Sequence, residues 1–216
     1  MNHQESIRLI RDTGVVAIMR TKSSEQLLRA ADAIREGGVR AIEVTMTTPG
    51  ALSVIEQAVS KYGSDVLFGA GTVLDAESAR SAILSGAQFI VSPSFNPALI
   101  EICRRYSIPV MPGAYTPTEI LTAWECGADM VKVFPAGLGG PSLIKAIKAP
   151  FPQVELVPVG GVNVDNTADF IRAGAAAVGV GSALINQKLL EVGDFDALTE
   201  RARRLVEEVA RGRNSR

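Results

Sequence analysis

The chain has 216 residues, 47% of them hydrophobic and 21% charged, a composition typical of a globular protein with one sizeable core. Its 22 basic and 23 acidic residues leave a net charge of -1, which argues against a nucleic-acid or membrane-surface binder. No apolar run reaches transmembrane length, and the first residues lack the pattern of a secretion signal. The expected partners are therefore small molecules and copies of the chain itself, in the cytoplasm.

Residues that form disulfides or bind metals are scarce. Cys103 and Cys126 both fall in helix-like stretches, which favours half-buried apolar side chains over a disulfide and fits a reducing compartment. The single histidine, His3, lies in the polar N-terminal lead, and no cluster of Cys, His and carboxylate residues has ligand spacing. The sequence therefore predicts no metal site.

After a short N-terminal helix, β-branched runs alternate with amphipathic helical stretches along the chain. The eight predicted strands end, in chain order, at Arg20, Met46, Val73, Ser94, Tyr115, Pro135, Val162 and Ile185. The helices between them begin at Ser, Asp, Thr or Asn and end near Gly. A last helix is predicted over residues 194–213, and residues 213–216 are expected to be frayed.

One helix-to-strand junction recurs along the chain, as EGGVRAIEV, SGAQFIVS, CGADMVKV and AGAAAVGV, each with Gly at the helix end. Eight such units predict an α/β fold in which residues 1–216 form a single (β/α)₈ TIM barrel. A doubly wound open sheet would share the same local signals.

Two charged residues lie inside otherwise apolar strands: Glu43 in AIEVTM and Lys132 in MVKVFP. One interpretation is a purely structural buried ion pair, although apolar replacements of such pairs are often neutral or stabilising. The functional interpretation is that burial lowers the pKa of Lys132 and makes it a nucleophile toward a carbonyl, with Glu43 as acid and base. The two-residue period of a strand places Thr45 and Thr47 on the face of Glu43, and Phe134 on that of Lys132.

Glycines lie at the carboxyl ends of the last two predicted strands, where barrels of this type often bind phosphate through backbone N–H groups. The alternative is a simple tight-turn role. The residues of this predicted phosphate site are Gly160, Gly161, Gly181 and Ser182.

Arg20 and Thr72 offer a second anion site, expected on the opposite side of the barrel mouth. An arginine binds a carboxylate with a two-pronged fork, and a threonine hydroxyl adds a donor. The alternative for Arg20 is a surface ion pair with a helix.

Taken together, the motifs AIMR, EVTMTTP, GAGTV, VSPS, PGAYTPTE, VKVFPAG, VPVGGV and GVGSALI resemble the class I 2-keto-3-deoxy-6-phosphogluconate (KDPG) aldolases over nearly the whole chain. The resemblance implies a Schiff base on Lys132 and acid–base catalysis by Glu43, with no cofactor. It further implies a homotrimer that binds pyruvate and a phosphorylated keto acid. The implied substrate contacts are Thr72 for the carboxylate, Pro93 and Phe134 for the pyruvoyl pocket, and Gly160, Gly161 and Ser182 for the phosphate.

The chain departs from the family pattern at two positions. Thr47 stands where some members have an anion-binding Arg, and Arg20 is expected to take over that role. Val159 stands where many members have Thr, which affects contacts to the sugar chain. The branch of the family that acts on the galactonate epimer usually has IPLNSP after its glutamate, whereas this chain has VTMTTP, which favours the gluconate substrate. Activity on 4-hydroxy-2-oxoglutarate is common in the family and is also expected here.

Two other functions fit parts of the pattern. Barrels such as thiamine-phosphate synthase or indole-glycerol-phosphate synthase share the phosphate site, but their own motifs are not found. A non-catalytic sensor of phosphorylated sugar acids would bind without forming a covalent adduct, and the Lys and Glu at the barrel mouth argue against it.

Overall fold

The computed structural model describes residues 1–21 and 23–215, and in this part of the chain strands and helices alternate throughout. The strands are β1 Val15–Met19, β2 Ala41–Thr45, β3 Leu67–Gly71, β4 Ile90–Val91, β5 Val110–Met111, β6 Gly113–Ala114, β7 Val131–Val133, β8 Leu156–Pro158 and β9 Val178–Val180. The helices are α1 His3–Thr13, α2 Ser24–Glu36, α3 Ala51–Tyr62, α4 Ala76–Leu84, α5 Pro97–Arg105, α6 Pro117–Glu125, α7 Gly140–Lys148, α8 Val164–Arg172, α9 Gln187–Val192 and α10 Phe195–Asn214, with a 3₁₀ turn at Ala136–Leu138. None of these helices is both long and apolar enough to cross a bilayer.

The strands pair in parallel and close into a barrel. One sheet has the order β5-β4-β3-β2-β1-β9 and a second has β6-β7-β8. The two sheets meet where β5 continues into β6 through Pro112, and again at a parallel bridge between Val159 and Gly179. The predicted (β/α)₈ barrel is confirmed, with one correction: the fifth predicted strand is split in two, because Pro112 has no N–H to donate to a ladder.

Alternate residues of each strand point to opposite sides of the barrel wall. In β1, Val16 and Ile18 belong to the apolar cluster inside the barrel, whereas Val15, Ala17 and Met19 pack in the larger cluster toward the helices. The parity fixes which polar residues face inward at the mouth.

Helix α1 closes the N-terminal end of the barrel, and the predicted N-terminal helix is thereby confirmed. Ile7 and Ile10 belong to the same apolar cluster as the barrel interior. His3 lies 3.1 Å from Asp129, just before β7, and Arg11 lies 3.6 Å from Glu155, just before β8. The helix therefore spans the base of the barrel, away from the carboxyl ends of the strands.

The recurring helix-to-strand junction has one geometry at all four places. Gly38, Gly86, Gly127 and Gly174 have φ values of 95°, 92°, 97° and 112°, which a residue with a side chain rarely adopts. The residue after each glycine donates its N–H to a carbonyl in the last turn of the helix, at 3.0–3.1 Å. This is the Schellman motif, and at each of the four helix ends it turns the chain back toward the sheet.

Several predicted strands extend too far at their carboxyl ends. β1 ends at Met19 rather than Arg20, and β9 ends at Val180 rather than Ile185, because the N–H groups of Leu184 and Ile185 bond the Gly181 carbonyl in a turn. The same correction applies to the other predicted strands, whose final residues form the loops of the mouth. The last helix is confirmed as α10 and continues to Asn214, beyond the expected fraying point; Arg216 lies outside the described residues.

Candidate active site

Glu43 lies on the inner face of β2, between Ile18 of β1 and Gly69 of β3 in the strand register. It is only 1% exposed, and burial raises the pKa of its carboxyl, against the opposing charges of Lys132 and Arg20. Among the described residues, its Oε1 atom has no hydrogen-bond partner. A buried carboxylate oxygen without a partner is costly, so this atom is placed to bind something the protein does not supply.

Lys132 faces the interior from β7, where its register partners are Gly113 of β6 and Val157 of β8. It is 5% exposed, and burial lowers the pKa of its amine, while Glu43 raises it and Arg20 lowers it further. Its Nζ atom lies 5.3 Å from the centre of the Phe134 ring. A lysine in this environment releases its proton more readily and becomes a nucleophile.

Glu43 and Lys132 influence each other's pKa, yet within the described residues they form no ion pair at 4.0 Å or closer. The interpretation of a directly bonded structural ion pair is therefore wrong. The space between the Lys132 amine, whose pKa burial lowers, and the Glu43 oxygen that has no partner in the described part of the chain suits a substrate or a water molecule.

The hydroxyl groups after β2 form a small cluster. Because β2 ends at Thr45, Thr47 lies in the following turn and is exposed, so the expectation that it continues the inner strand face is wrong. The turn nevertheless brings it back: Thr47 Oγ1 lies 3.0 Å from Thr45 Oγ1, and Thr48 Oγ1 lies 3.3 Å from the same atom.

A cavity of about 150 Å³ opens at the mouth between β1, β8 and β9. The predicted site residues that line it are Arg20, Phe134, Gly160, Gly161, Gly181 and Ser182. Gly160 and Gly161 have φ values of 85° and 84°, and a Cβ on Gly161 would lie 2.8 Å from the Cα of Gly137. Two glycines are therefore required here, which leaves backbone groups accessible to an anion.

Arg20 lines this same cavity, which corrects its expected place on the opposite side of the mouth. The reason is barrel closure, since β1 and β9 are hydrogen-bonded neighbours with Ala17 opposite Val180. The Arg20 side chain forms no ion pair among the described residues, so the helix-pairing alternative is wrong. The guanidinium of Arg20 therefore lies beside the glycines without a carboxylate partner in the part of the chain that the structure describes.

Thr72 and Pro93 follow β3 and β4 on the other side of the barrel. Thr72 has a φ of 56°, a left-handed conformation that is strained for a β-branched residue and is typical of functional sites. Pro93 packs closely on β6: a Cβ on Gly113 would lie 2.3 Å from its carbonyl carbon. Gly113 is the register partner of Lys132, so Pro93 packs against the strand next to the one that carries the lysine.

Among the other residues that line the cavity, Ile18 was not predicted from the sequence, and Val159 was expected only to affect contacts to the sugar chain. Ile18 and Val159 both line the cavity, the first two positions before Arg20 and the second two positions after the inward Val157. Strand parity is the signal that could have identified them. Elsewhere, Cys103 and Cys126 carry free thiols, and no group of three or more metal-binding side chains exists in the described residues.

Comparison with known proteins agrees with this geometry. The model of the family "Aldolase: KDPG and KHG aldolase" matches residues 7–201. A 2-dehydro-3-deoxy-phosphogluconate aldolase of Treponema pallidum is 37% identical over 90% of this chain and 91% of its own, and a 2-dehydro-3-deoxy-6-phosphogalactonate aldolase of Escherichia coli is 37% identical over 79% and 83%.

A similar fold is seen in the crystal structure of the KDPG aldolase of Legionella pneumophila, with pyruvate captured as a covalent carbinolamine intermediate. It has a TM-score of 0.86 and 29% identity over 93% of this chain and 97% of that one. Family match, sequence relatives and fold agree, and the chain therefore belongs to the KDPG and KHG aldolase family, whose members are lyases.

Proposed function

We propose that this chain is a class I aldolase that cleaves 2-dehydro-3-deoxy-6-phosphogluconate into pyruvate and glyceraldehyde 3-phosphate through a Schiff base on Lys132. The observation that carries the proposal is the buried Lys132 amine, whose pKa burial lowers, together with a Glu43 oxygen that has no hydrogen-bond partner among the described residues. These are the two groups that imine formation and proton transfer require.

In the first stage, the Lys132 amine adds to the C2 carbonyl, and loss of water from the carbinolamine leaves an iminium ion. Glu43, through a bound water, takes the proton of the C4 hydroxyl. The C3–C4 bond then breaks, its electron pair moves onto the iminium nitrogen as an enamine, and glyceraldehyde 3-phosphate leaves. Glu43 returns a proton to C3, and water hydrolyses the iminium to release pyruvate and the free amine.

The rest of the mouth supports a substrate charged at both ends. The phosphate would bind in the cavity lined by Gly160, Gly161, Gly181, Ser182 and Arg20. Arg20 is also the candidate to bind the anion that an arginine at the position of Thr47 binds in some family members. Thr72 would bind the carboxylate, and Pro93 and Phe134 would border the pyruvoyl group. The family name includes the aldolases of 4-hydroxy-2-oxoglutarate, a further proposed substrate that carries no phosphate.

A second candidate substrate is the galactonate epimer. The relative named as a 2-dehydro-3-deoxy-6-phosphogalactonate aldolase in E. coli is also 37% identical, over 79% of this chain compared with 90% for the gluconate relative of T. pallidum. Val159 gives the cavity wall a methyl group where a threonine would offer a hydroxyl. Measuring kcat/KM on both epimers determines which one is the substrate. A higher value on the galactonate epimer would overturn the proposal of a gluconate substrate.

The decisive experiment is intact-mass spectrometry after incubation with pyruvate and borohydride, which reduces an iminium to a stable amine. We expect one adduct that maps to Lys132, is absent from Lys132→Met and is retained in Lys145→Met, which changes an exposed lysine on α7. A folded parent protein without an adduct would overturn the mechanism and favour the non-catalytic sensor.

Family membership also supports a cytoplasmic homotrimer in which residues 1–216 form one domain. Light scattering on the purified chain tests the oligomeric state: three times the 22.8 kDa chain mass is expected.

A further inference from the structure

The carboxylate of Glu43 occupies space that a side chain on the neighbouring strand would fill. Gly71 is the last residue of β3 and the register partner of Thr45. A Cβ on Gly71 would lie 1.7 Å from Oε1, 2.1 Å from Cδ and 2.3 Å from Cγ of Glu43. Real Cβ atoms do not approach other heavy atoms so closely, so an alanine here and this Glu43 conformation exclude each other.

Nothing in the backbone requires a glycine at this position. Gly71 is absent from the residues with positive φ, and its carbonyl accepts an ordinary bond of 2.7 Å from the N–H of Met46. Any residue could adopt its extended conformation. The distinctive contribution of Gly71 is therefore the empty volume that it leaves for Glu43.

That volume determines the direction in which the carboxylate points. Oε1 is the atom nearest to the missing Cβ, and it is also the atom without a hydrogen-bond partner in the described chain. If Glu43 moved aside, the carboxylate would turn away from β3, and proton transfer loses efficiency when its donor leaves hydrogen-bond reach.

We propose that Gly71 is a positioning residue for proton transfer: by having no side chain, it fixes the carboxylate of Glu43 in the orientation that serves the substrate. The inference rests on the aldolase mechanism proposed above. It assigns Gly71 no part in forming the Schiff base, which depends on Lys132 on the far side of the barrel.

The test is a double-mutant cycle of the parent chain, Glu43→Ala, Gly71→Ala and the double variant. One measurement is the trapped pyruvate adduct, and another is the exchange of pyruvate methyl hydrogens into D₂O, which follows proton transfer to and from the enamine. Thermal unfolding of all four proteins is the third. Gly69→Ala is the matched control, because its Cβ would meet the Phe89 ring at 2.6 Å instead of Glu43.

We expect Gly71→Ala to slow methyl exchange at least about tenfold while the adduct still forms. Its lowered Tm should recover in the double variant, because truncating Glu43 removes the clash, and exchange there should equal that of Glu43→Ala alone. The Tm loss of Gly69→Ala should persist when Glu43 is truncated.

Unchanged exchange in Gly71→Ala, or additive Tm losses in the double variant, would overturn the positioning role. A parent chain that forms no adduct would instead refute the aldolase mechanism, and the Tm cycle would still decide whether Gly71 and Glu43 are coupled.

Discussion

The amine nitrogen of Lys132 lies 5.3 Å from the centre of the Phe134 ring, and Phe134 is 40% exposed at the barrel mouth whereas Lys132 is only 5% exposed. Burial is the largest cause of the lowered pKa of Lys132. Phe134 therefore helps to set the pH at which the amine is a nucleophile.

We predict that Phe134→Ala admits water to the amine and raises the pKa of Lys132 toward its ordinary value. At pH 7 kcat/KM should fall about tenfold, and most of it should return at alkaline pH, where the amine loses its proton again. Phe134→Leu, which keeps an apolar cover, should shift the acidic limb of the pH profile less. Equal shifts in both variants would contradict the shielding role.

The phosphate cavity can be tested separately from the chemistry. Gly161→Ala places a Cβ 2.8 Å from the Cα of Gly137 and strains a backbone with φ of 84°. We expect KM for the phosphorylated substrate to rise roughly 10- to 100-fold, which corresponds to about 1–3 kcal/mol of lost binding. Activity on 4-hydroxy-2-oxoglutarate should be retained, because that substrate has no phosphate. Ser182→Ala, which removes one hydroxyl, should show a smaller effect of the same kind; equal losses on both substrates would contradict this site.

Replacing Thr72 by glycine should make the fold more stable and weaken substrate binding. Replacing it by glycine relieves the strain at φ 56°, so the free energy of unfolding in urea should rise by about 1 kcal/mol after the entropic cost of glycine. KM for the keto acid should rise at the same time, because the hydroxyl is lost. Ser107, with φ of 55°, follows α5 at the other end of the barrel, and Ser107→Gly should stabilise without changing KM. A less stable Thr72→Gly would contradict the strain argument.

Glu43 and Lys132 should together destabilise the fold. Burial raises the pKa of Glu43 and lowers that of Lys132, so each charged form is less favourable in the folded than in the unfolded chain. We predict that Glu43→Gln with Lys132→Met abolishes activity and raises the free energy of unfolding at neutral pH by about 1–4 kcal/mol.

The pH dependence of that gain has a definite sign. The part due to Glu43 should vanish as the pH falls below the ordinary pKa of a glutamate, since the carboxyl is then protonated in both states. The part due to Lys132 should vanish as the pH rises above the ordinary pKa of a lysine, since the amine is then neutral in both. Urea unfolding across the pH range measures both, and a double variant less stable than the parent at neutral pH would refute the prediction.

The sequence was sufficient to predict the repeating units and most of the residues that lie at the mouth. Hydrophobic periodicity identified the strands, and the glycines at positions 38, 86, 127 and 174 marked the four junctions that the structure confirms. Strand ends were overestimated because the mouth loops are apolar and rich in glycine, so composition did not distinguish them from strand. The split at Pro112 has a different cause, since a proline within an apolar run is itself a signal that the strand is interrupted there.

Relationships across strands were less accessible. The contact between Glu43 and Gly71 depends on the register of β2 against β3, and the place of Arg20 beside Gly160 depends on which strands meet when the barrel closes. Strand register and barrel closure both depend on residues that are far apart in the sequence. A pattern of single residues predicts which side chains reach the mouth, whereas the ladder determines which of them are neighbours.

Helix α1 closes the N-terminal end of the barrel, because Ile7 and Ile10 pack into the barrel interior. The mouth, at the carboxyl ends of the strands, is the end that stays open. Substrate entry and the departure of both products must then share a single passage. In the proposed reaction, pyruvate remains covalently attached at the deeper lysine while the phosphorylated aldehyde lies nearer the rim. Release is therefore ordered, aldehyde first and pyruvate second, and in the reverse direction pyruvate must bind before the aldehyde can condense with it.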